Sequence, residues 1–279
     1  DAVKRKYVSG IAESWKRIDP LTMEFKIRTD IKWHDGQPLT MDDIEYTYQW
    51  TMDPKVRFRF KATRVNWIAG FERVNDTTFR LKSKIPMAVM LAKMTNWPSI
   101  FPKHVHGKFA QADKNKFGKN PVGSGPYRAT SYNPSVGINL VKSDNYTAGN
   151  VGKPAGTISK VFVRPIPDEQ TQIANLLTGQ IDLMYNMDKE AALQLAKNPK
   201  FKVDVQDSVS FSYIMFDSKG RSGKTWFTDQ KVRLAILQSI DRKNLRELVH
   251  PAITRQLSTV CHPWVEGCNS SVPSPKYDP

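Results

Sequence analysis

The chain has 279 residues, 39% hydrophobic and 10% aromatic, enough for a real core and one or two domains. That aromatic content excludes a disordered chain, and no apolar run reaches the roughly 18–20 residues that a membrane-spanning helix needs. With 42 Lys+Arg against 27 Asp+Glu the formal charge is +15, a balance compatible with nucleic acid, an anionic membrane or acidic ligands. The cations are spread along the chain without a long block of like charge, so a solvated basic surface is the simplest reading. The opening DAVKRKYVSG has no apolar signal-peptide core, and any secretion signal is expected to lie outside this sequence.

In chain order, LTMEFKIRTDIKWHD alternates with period two. It predicts a strand pair with Met23, Phe25 and Ile27 on one face, resumed by Ile31 and Trp33 after a turn at Thr29-Asp30. Asp35-Gly36 is a turn dipeptide. Thr40 then caps a helix over about 41–52, Asp43 supplying the capping-box acid and Asp53-Pro54 ending it. VNWIAGFERVNDTTFRLK predicts a β-hairpin turning at Asn75-Asp76. A helix is expected from Pro86 through MAVMLAKM, followed by a short helix and a basic loop over FPKHVHGKFAQADKNKFGKN. YRATSY and GINLVKS read as strands joined at Asn133-Pro134, and ISKVFVRPI as a third. Asp168 opens a helix that Gly179 stops. IDLMYN reads as a short buried strand, DKEAALQLAKN as a helix, and FKVDVQ and VSFSYIMFDS as strands. Thr228 or Asp229 caps a helix containing KVRLAILQSI, Asp241 caps another over RKNLRELVH, and a Pro- and Ser-rich tail follows. The class is mixed α/β.

Candidate chemistry is sparse. The five histidines are His34, His104, His106, His250 and His262. A metal-dependent hydrolase using His104, His106 and His262 is one alternative function, but no acid or cysteine stands near His104 and His106 at ligand spacing. A basic nucleic-acid-binding protein is the other. Gly123-Ser124-Gly125 meets neither nucleophile-elbow nor phosphate-loop spacing. Adjacent helix positions point Asp42 and Asp43 apart, so they do not share a proton, and both suit a helix N-terminus. No cofactor and no catalytic residue is expected. Cys261 and Cys268 bracket CHPWVEGC. A disulfide ring there requires an oxidising compartment such as the periplasm, and two free thiols are the alternative.

Several segments, in order, resemble one family: the dipeptide- and oligopeptide-binding proteins of ABC importers, the extracellular solute-binding proteins of family 5. KWHDGQPLTMDDIEYTYQW resembles the family's W/F-H-D-G turn followed by an acid-rich helix. Asn120–Arg128, NPVGSGPYR, resembles its N-P-x-G-T/S-G-P-Y/F motif. Gly179-Gln180-Ile181-Asp182 matches its helix–Gly–E/Q-I/V-D pattern. FTDQKVRLAILQSIDR matches its F-x-D…V-R-x-A-I…I-D-R run, and Tyr277-Asp278-Pro279 its Y-D-P.

The resemblance implies a partial type II periplasmic-binding-protein fold of two lobes plus an extra α/β domain. It assigns 1–20 to lobe I, 21–120 to the extra domain, 121–207 to lobe I and 208–279 to the start of lobe II. It implies a non-enzymatic, periplasmic (or secreted and membrane-associated) component that captures a peptide or small molecule and delivers it to permease subunits, without nucleic acid. Because members of the family are longer at both ends, the chain is expected to be a piece of such a protein. The ligand-facing residues it implies are Tyr185, Asn186 and Met187 after the IDL segment, with Phe211 and Tyr213 sharing a strand face.

Overall fold

The computed structural model describes residues 6–96, 98–148, 154–205, 210–249 and 255–279. His250 and the boundary expected at 207–208 lie outside them. The chain divides into two compact units, 1–188 and 189–279.

The first unit is built on a four-stranded antiparallel sheet, β1 (Ala12–Arg17), β2 (Thr22–Ile27), β3 (Ile68–Arg73) and β4 (Thr78–Ser83), in the order β1-β2-β4-β3. Period-two alternation gives the sheet two faces of different chemistry. Met23, Phe25, Ile27, Phe79 and Leu81 are buried on one face, where the Phe25 and Phe79 rings stack at 5.1 Å. On the other face a single register row carries Lys16, Glu24, Arg80 and Glu72 across all four strands. Each neighbouring pair is oppositely charged, at 2.9, 2.8 and 3.4 Å. A one-residue slip would place this row in the core.

The helix α1 (Met41–Met52) packs on the apolar face through Met41, Ile44 and Tyr48, whose ring stacks on Phe71 at 5.2 Å. Its start is held by Asp43, only 4% exposed. One carboxylate oxygen accepts from the Thr40 backbone N–H at 3.0 Å and the Trp33 indole N–H at 3.2 Å. The other accepts the Lys103 N–H at 2.8 Å, at the start of a short helix, Lys103–His106. Neighbouring Asp42 points outward to Arg73 at 2.7 Å and Lys103 at 3.4 Å, and these cations hold its pKa below the ordinary carboxylate value.

The remainder of this unit has the helix-like turn α2 (Lys61–Arg64), the helices α3 (Met90–Asn96) and α4 (Lys103–His106), a 3-10 run at Gln111–Lys119, and an antiparallel sheet of β5 (Tyr127–Asn133), β6 (Gly137–Lys142) and β7 (Lys160–Val163). Then comes α5 (Glu169–Leu177), which Asp168 caps by accepting the Thr171 N–H at 2.8 Å and Gly179 (φ +74°) follows in the left-handed region.

The second unit contains α6 (Lys189–Leu195), α7 (Gln230–Gln238) and α8 (Arg242–Val249). Asp229 caps α7 through the Lys231 N–H at 2.8 Å, and Asp241 accepts the Asn244 N–H at 2.9 Å in α8. The tail folds back on both helices: Arg242 donates to the Pro275 carbonyl at 2.7 Å, and the Asp278 N–H donates to the Gln238 carbonyl at 2.9 Å. No helix among the described residues is long and apolar enough to cross a membrane.

Several expected elements differ. Residues 31–33 do not pair with β2; β1 does. Residues 31–39 instead close on themselves, with Trp33 N–H to Gln37 O at 2.8 Å and Leu39 N–H to Ile31 O at 2.9 Å, around Gly36 at φ +86°. The helix expected from Pro86 begins at Met90, because the carbonyls of Met87 and Ala88 are taken by the Arg17 guanidinium at 3.1 and 3.2 Å. IDLMYN is neither strand nor buried: Leu183 and Tyr185 are exposed. The described parts of FKVDVQ and VSFSYIMFDS form no strands. A strand is defined by a hydrogen-bonded neighbour, and no described segment pairs with any of the three.

Replacing Asp43 by Ala strands three N–H donors, the Trp33 indole fully buried and the other two partly so, and opens a small void. The expected loss is about 3–5 kcal/mol, read as a lower urea midpoint with unchanged slope. Asp42→Ala, at the exposed neighbouring position, is expected to cost less than about 1 kcal/mol.

Candidate functional site

Two of the sequence motifs meet in space. The Trp33–Gly36 turn docks on the Asn120–Pro126 loop through His34. Its backbone N–H donates to Gly123 O at 2.7 Å, and Gly123 N–H donates back to the ring Nδ1 at 3.1 Å. Because Nδ1 accepts, the ring proton sits on Nε2, which donates to Gly125 O at 2.9 Å. The Asn145 amide donates to His34 O at 3.1 Å. The loop is so closely moulded to the imidazole that a Cβ at Gly123 would lie 3.1 Å from Cε1.

This junction borders a cavity of about 890 Å³ within the first unit. Core residues such as Phe25 and Tyr48 form its floor, and Trp15, Leu91 and Met94 its apolar wall. Ser124, Arg28 and Tyr146 supply polar groups. Arg28 is engaged bidentately by Asp30, both contacts at 2.8 Å, and donates to Thr147 O at 3.2 Å. That pairing raises its pKa and leaves little of its charge for a ligand. Burial pushes the Tyr146 phenol up. An apolar recess with a few oriented polar groups has the general character of a small-molecule site.

The residues expected to face ligand do not line this cavity. Tyr185 is 80% exposed, Asn186 adopts the left-handed region at φ 59°, and Met187 is half-buried. Asn186 does not cap α6, which starts three residues later. Phe211 and Tyr213 belong to the second unit, 39% and 57% exposed, with ring centroids 5.5 Å apart. Beside Phe211 at 6.3 Å stands His262, stacked on Trp264 at 4.4 Å and directed by Nε2 to Ser210 O at 3.2 Å. Cys261 and Cys268 are disulfide-bonded, with Cα atoms 5.9 Å apart, and close the loop that carries His262 and Trp264. His262 and Trp264 are the neighbours that sequence reasoning did not place here, since nothing in the linear pattern links them to Phe211.

His104 and His106 are held in separate environments. His104 Nε2 meets the Asp35 carboxylate at 2.6 Å. His106 is buried, stacked on Phe101 at 4.4 Å, and its Nδ1 accepts from the Tyr46 hydroxyl at 2.7 Å. Lys114 donates to the Tyr46 oxygen at 2.9 Å and to the His106 carbonyl. Among the described residues no three His, Cys, Asp or Glu side chains are grouped as metal ligands. Arg233 donates to the carbonyls of Phe227 and Thr228 at 2.6 and 3.0 Å.

The family profile of bacterial extracellular solute-binding proteins, family 5 Middle, matches residues 6–279. The chain belongs to this family. Heme-binding protein A of Haemophilus influenzae is 25% identical over 97% of this chain and 51% of its own length. The oligopeptide-binding protein AppA of Bacillus subtilis is 28% identical over 85% of this chain and 42% of its own. The structure of AppA in complex with a nonapeptide superposes with a TM-score of 0.74 at 25% identity, covering 96% of this chain and 52% of that one. The ABC transporter-associated periplasmic binding protein DppA from Helicobacter pylori shares the fold, with a TM-score of 0.71 at 24% identity over 96% of this chain and 55% of that one. The mixed α/β architecture is thus that of part of a type II periplasmic binding protein, and the chain spans about half the length of the relatives it matches.

Two outcomes follow from these contacts. Burial, assisted by the Lys114 charge, lowers the His106 pKa to about 4. The folded state therefore favours the neutral ring: its contribution is complete above the unfolded value near 6.5 and is lost as pH falls from there toward 4. Urea midpoints of the wild type should drop across that window, and a His106→Phe variant should show a flatter profile. His34→Ala removes the acceptor for Gly123 and the donor to Gly125, with an expected cost of about 2 kcal/mol. Gly123→Ala, which only crowds the ring, should cost less in the same thermal melts.

Proposed function

We propose that this chain is part of the solute-binding component of an ABC importer, working in the periplasm or at the outer face of the cell membrane. The complete protein captures a peptide or peptide-like molecule between two lobes and passes it to permease subunits, without chemistry on the ligand. The observation that carries this reading is the family match over residues 6–279, supported by the likeness in fold to AppA, which was solved with a peptide bound. In this reading 1–20 and 121–207 contribute to lobe I, 21–120 form the extra domain, and 208–279 begin lobe II.

Tyr185, Asn186, Met187, Phe211 and Tyr213 are the side chains we assign to ligand. The exposure of Tyr185, Phe211 and Tyr213 supports the assignment, since rings open to solvent are available for a partner to cover. Tyrosine also offers wide contact area at low entropic cost.

The test is thermal shift and calorimetry of the full-length protein against peptide, opine, sugar and metal-chelate panels, with mass spectrometry of any copurifying ligand. A ligand that stabilises the protein is expected, with Tyr185→Ala and Tyr213→Ala each weakening it about tenfold or more. Absence of any stabilising ligand would sink the proposal; undiminished affinity in both variants would remove these tyrosines from the site.

A further inference from the structure

The connection from α1 to β3 is an unusual surface. Between Lys55 and Arg64 the sequence KVRFRFKATR has five cations and no acid. Val56 and Val65 are buried and pin the two ends. Lys61 is used internally: its ammonium donates to the carbonyls of Asp53 and Val56, at 2.7 Å for Val56. The segment is therefore braced from within. Lys55, Arg57 and Arg59 are exposed, and among the described residues none of their side chains has a carboxylate partner.

The two phenylalanines of the segment divide their roles. Phe58 packs against the core. Phe60 is 54% exposed and sits at φ 64°, ψ 22°, the left-handed region that a bulky side chain adopts only under strain. The guanidiniums of Arg59 and Arg64 lie over its ring at 4.6 and 5.6 Å. An exposed apolar ring is thus set among cations just before α2.

We propose that this loop docks on an anionic lipid bilayer, its cations meeting headgroup phosphates while Phe60 enters the interfacial layer. Clustered basic residues beside an exposed aromatic are the chemistry that such a surface attracts. The partner is extended rather than small, because the cations lie open on the surface and none of them lines the 890 Å³ cavity. Nucleic acid is a poorer fit, because a ring covered by guanidinium is a weak platform for base stacking.

The experiment is cosedimentation of the full chain with vesicles of equal parts phosphatidylglycerol and phosphatidylcholine, against phosphatidylcholine alone. Binding only to the anionic vesicles is expected, falling at least about tenfold in Arg57→Ala/Arg59→Ala. Phe60→Gly relieves the backbone and should not lower the melting temperature, yet should weaken partitioning. Lys231→Ala/Lys243→Ala, which removes equal charge from exposed positions on α7 and α8, should leave partitioning within about twofold. The proposal is overturned if this control loses as much as the loop variant, since bulk charge then accounts for binding. It is also overturned if the loop variants bind as the wild type does, or if the loop residues matter only for duplex DNA.

Discussion

The buried carboxylate of Asp43 is the interaction on which the first unit turns. Three N–H groups converge on it from three places: the residue before α1, the indole of Trp33, and the start of α4. Burying a charge costs several kcal/mol unless its oxygens are satisfied, and here each oxygen is. The same carboxylate therefore starts the helix, fixes the tryptophan that closes the Asp35-Gly36 turn, and sets the depth at which the 103–106 segment docks. The orientation of α1 over Phe71 and Phe79 follows from that anchor.

One layer outward, His34 works the same way with a neutral ring. Its two nitrogens and its backbone amide occupy the donors and acceptors of the glycine loop, so the second sheet begins at a defined point against the first. Residues that look catalytic in a list, a histidine beside an aspartate and a Gly-Ser-Gly, are here joints between segments. The second unit repeats the logic: Arg242, from the Asp-Arg pair of α8, holds the Pro-rich tail by the Pro275 carbonyl. Conspicuous motifs in this chain are places where backbone polar groups far apart in sequence must be satisfied.

Surface charge follows a different rule. Where cations meet acids in register, as across the four strands, they cancel in pairs and specify strand alignment. Between 55 and 64 no such row exists, and the excess charge is displayed together with an exposed ring.

The sequence by itself determined the mixed α/β class, the family, the span of α1 with its Thr40–Asp43 start, the 68–83 hairpin, the 127–142 strand pair and the caps at Asp168 and Asp241, and it narrowed the cap of α7 to Thr228 or Asp229. These depend on local periodicity, turn residues and capping, all of which are written within a few positions. What only the tertiary structure decided depended on partners distant in sequence: β1 as the neighbour of β2, the late start of α3 under the Arg17 guanidinium, the tautomer of His34, and the separation of His104 from His106. The segments 181–186 and 210–216 carry apolar, β-branched and aromatic residues, but a strand needs a hydrogen-bonding neighbour, and composition alone does not supply one. The side chains proposed to face ligand rest on family likeness alone for the same reason: a binding surface is made by what lies across from it, and periodicity records only the face a residue occupies.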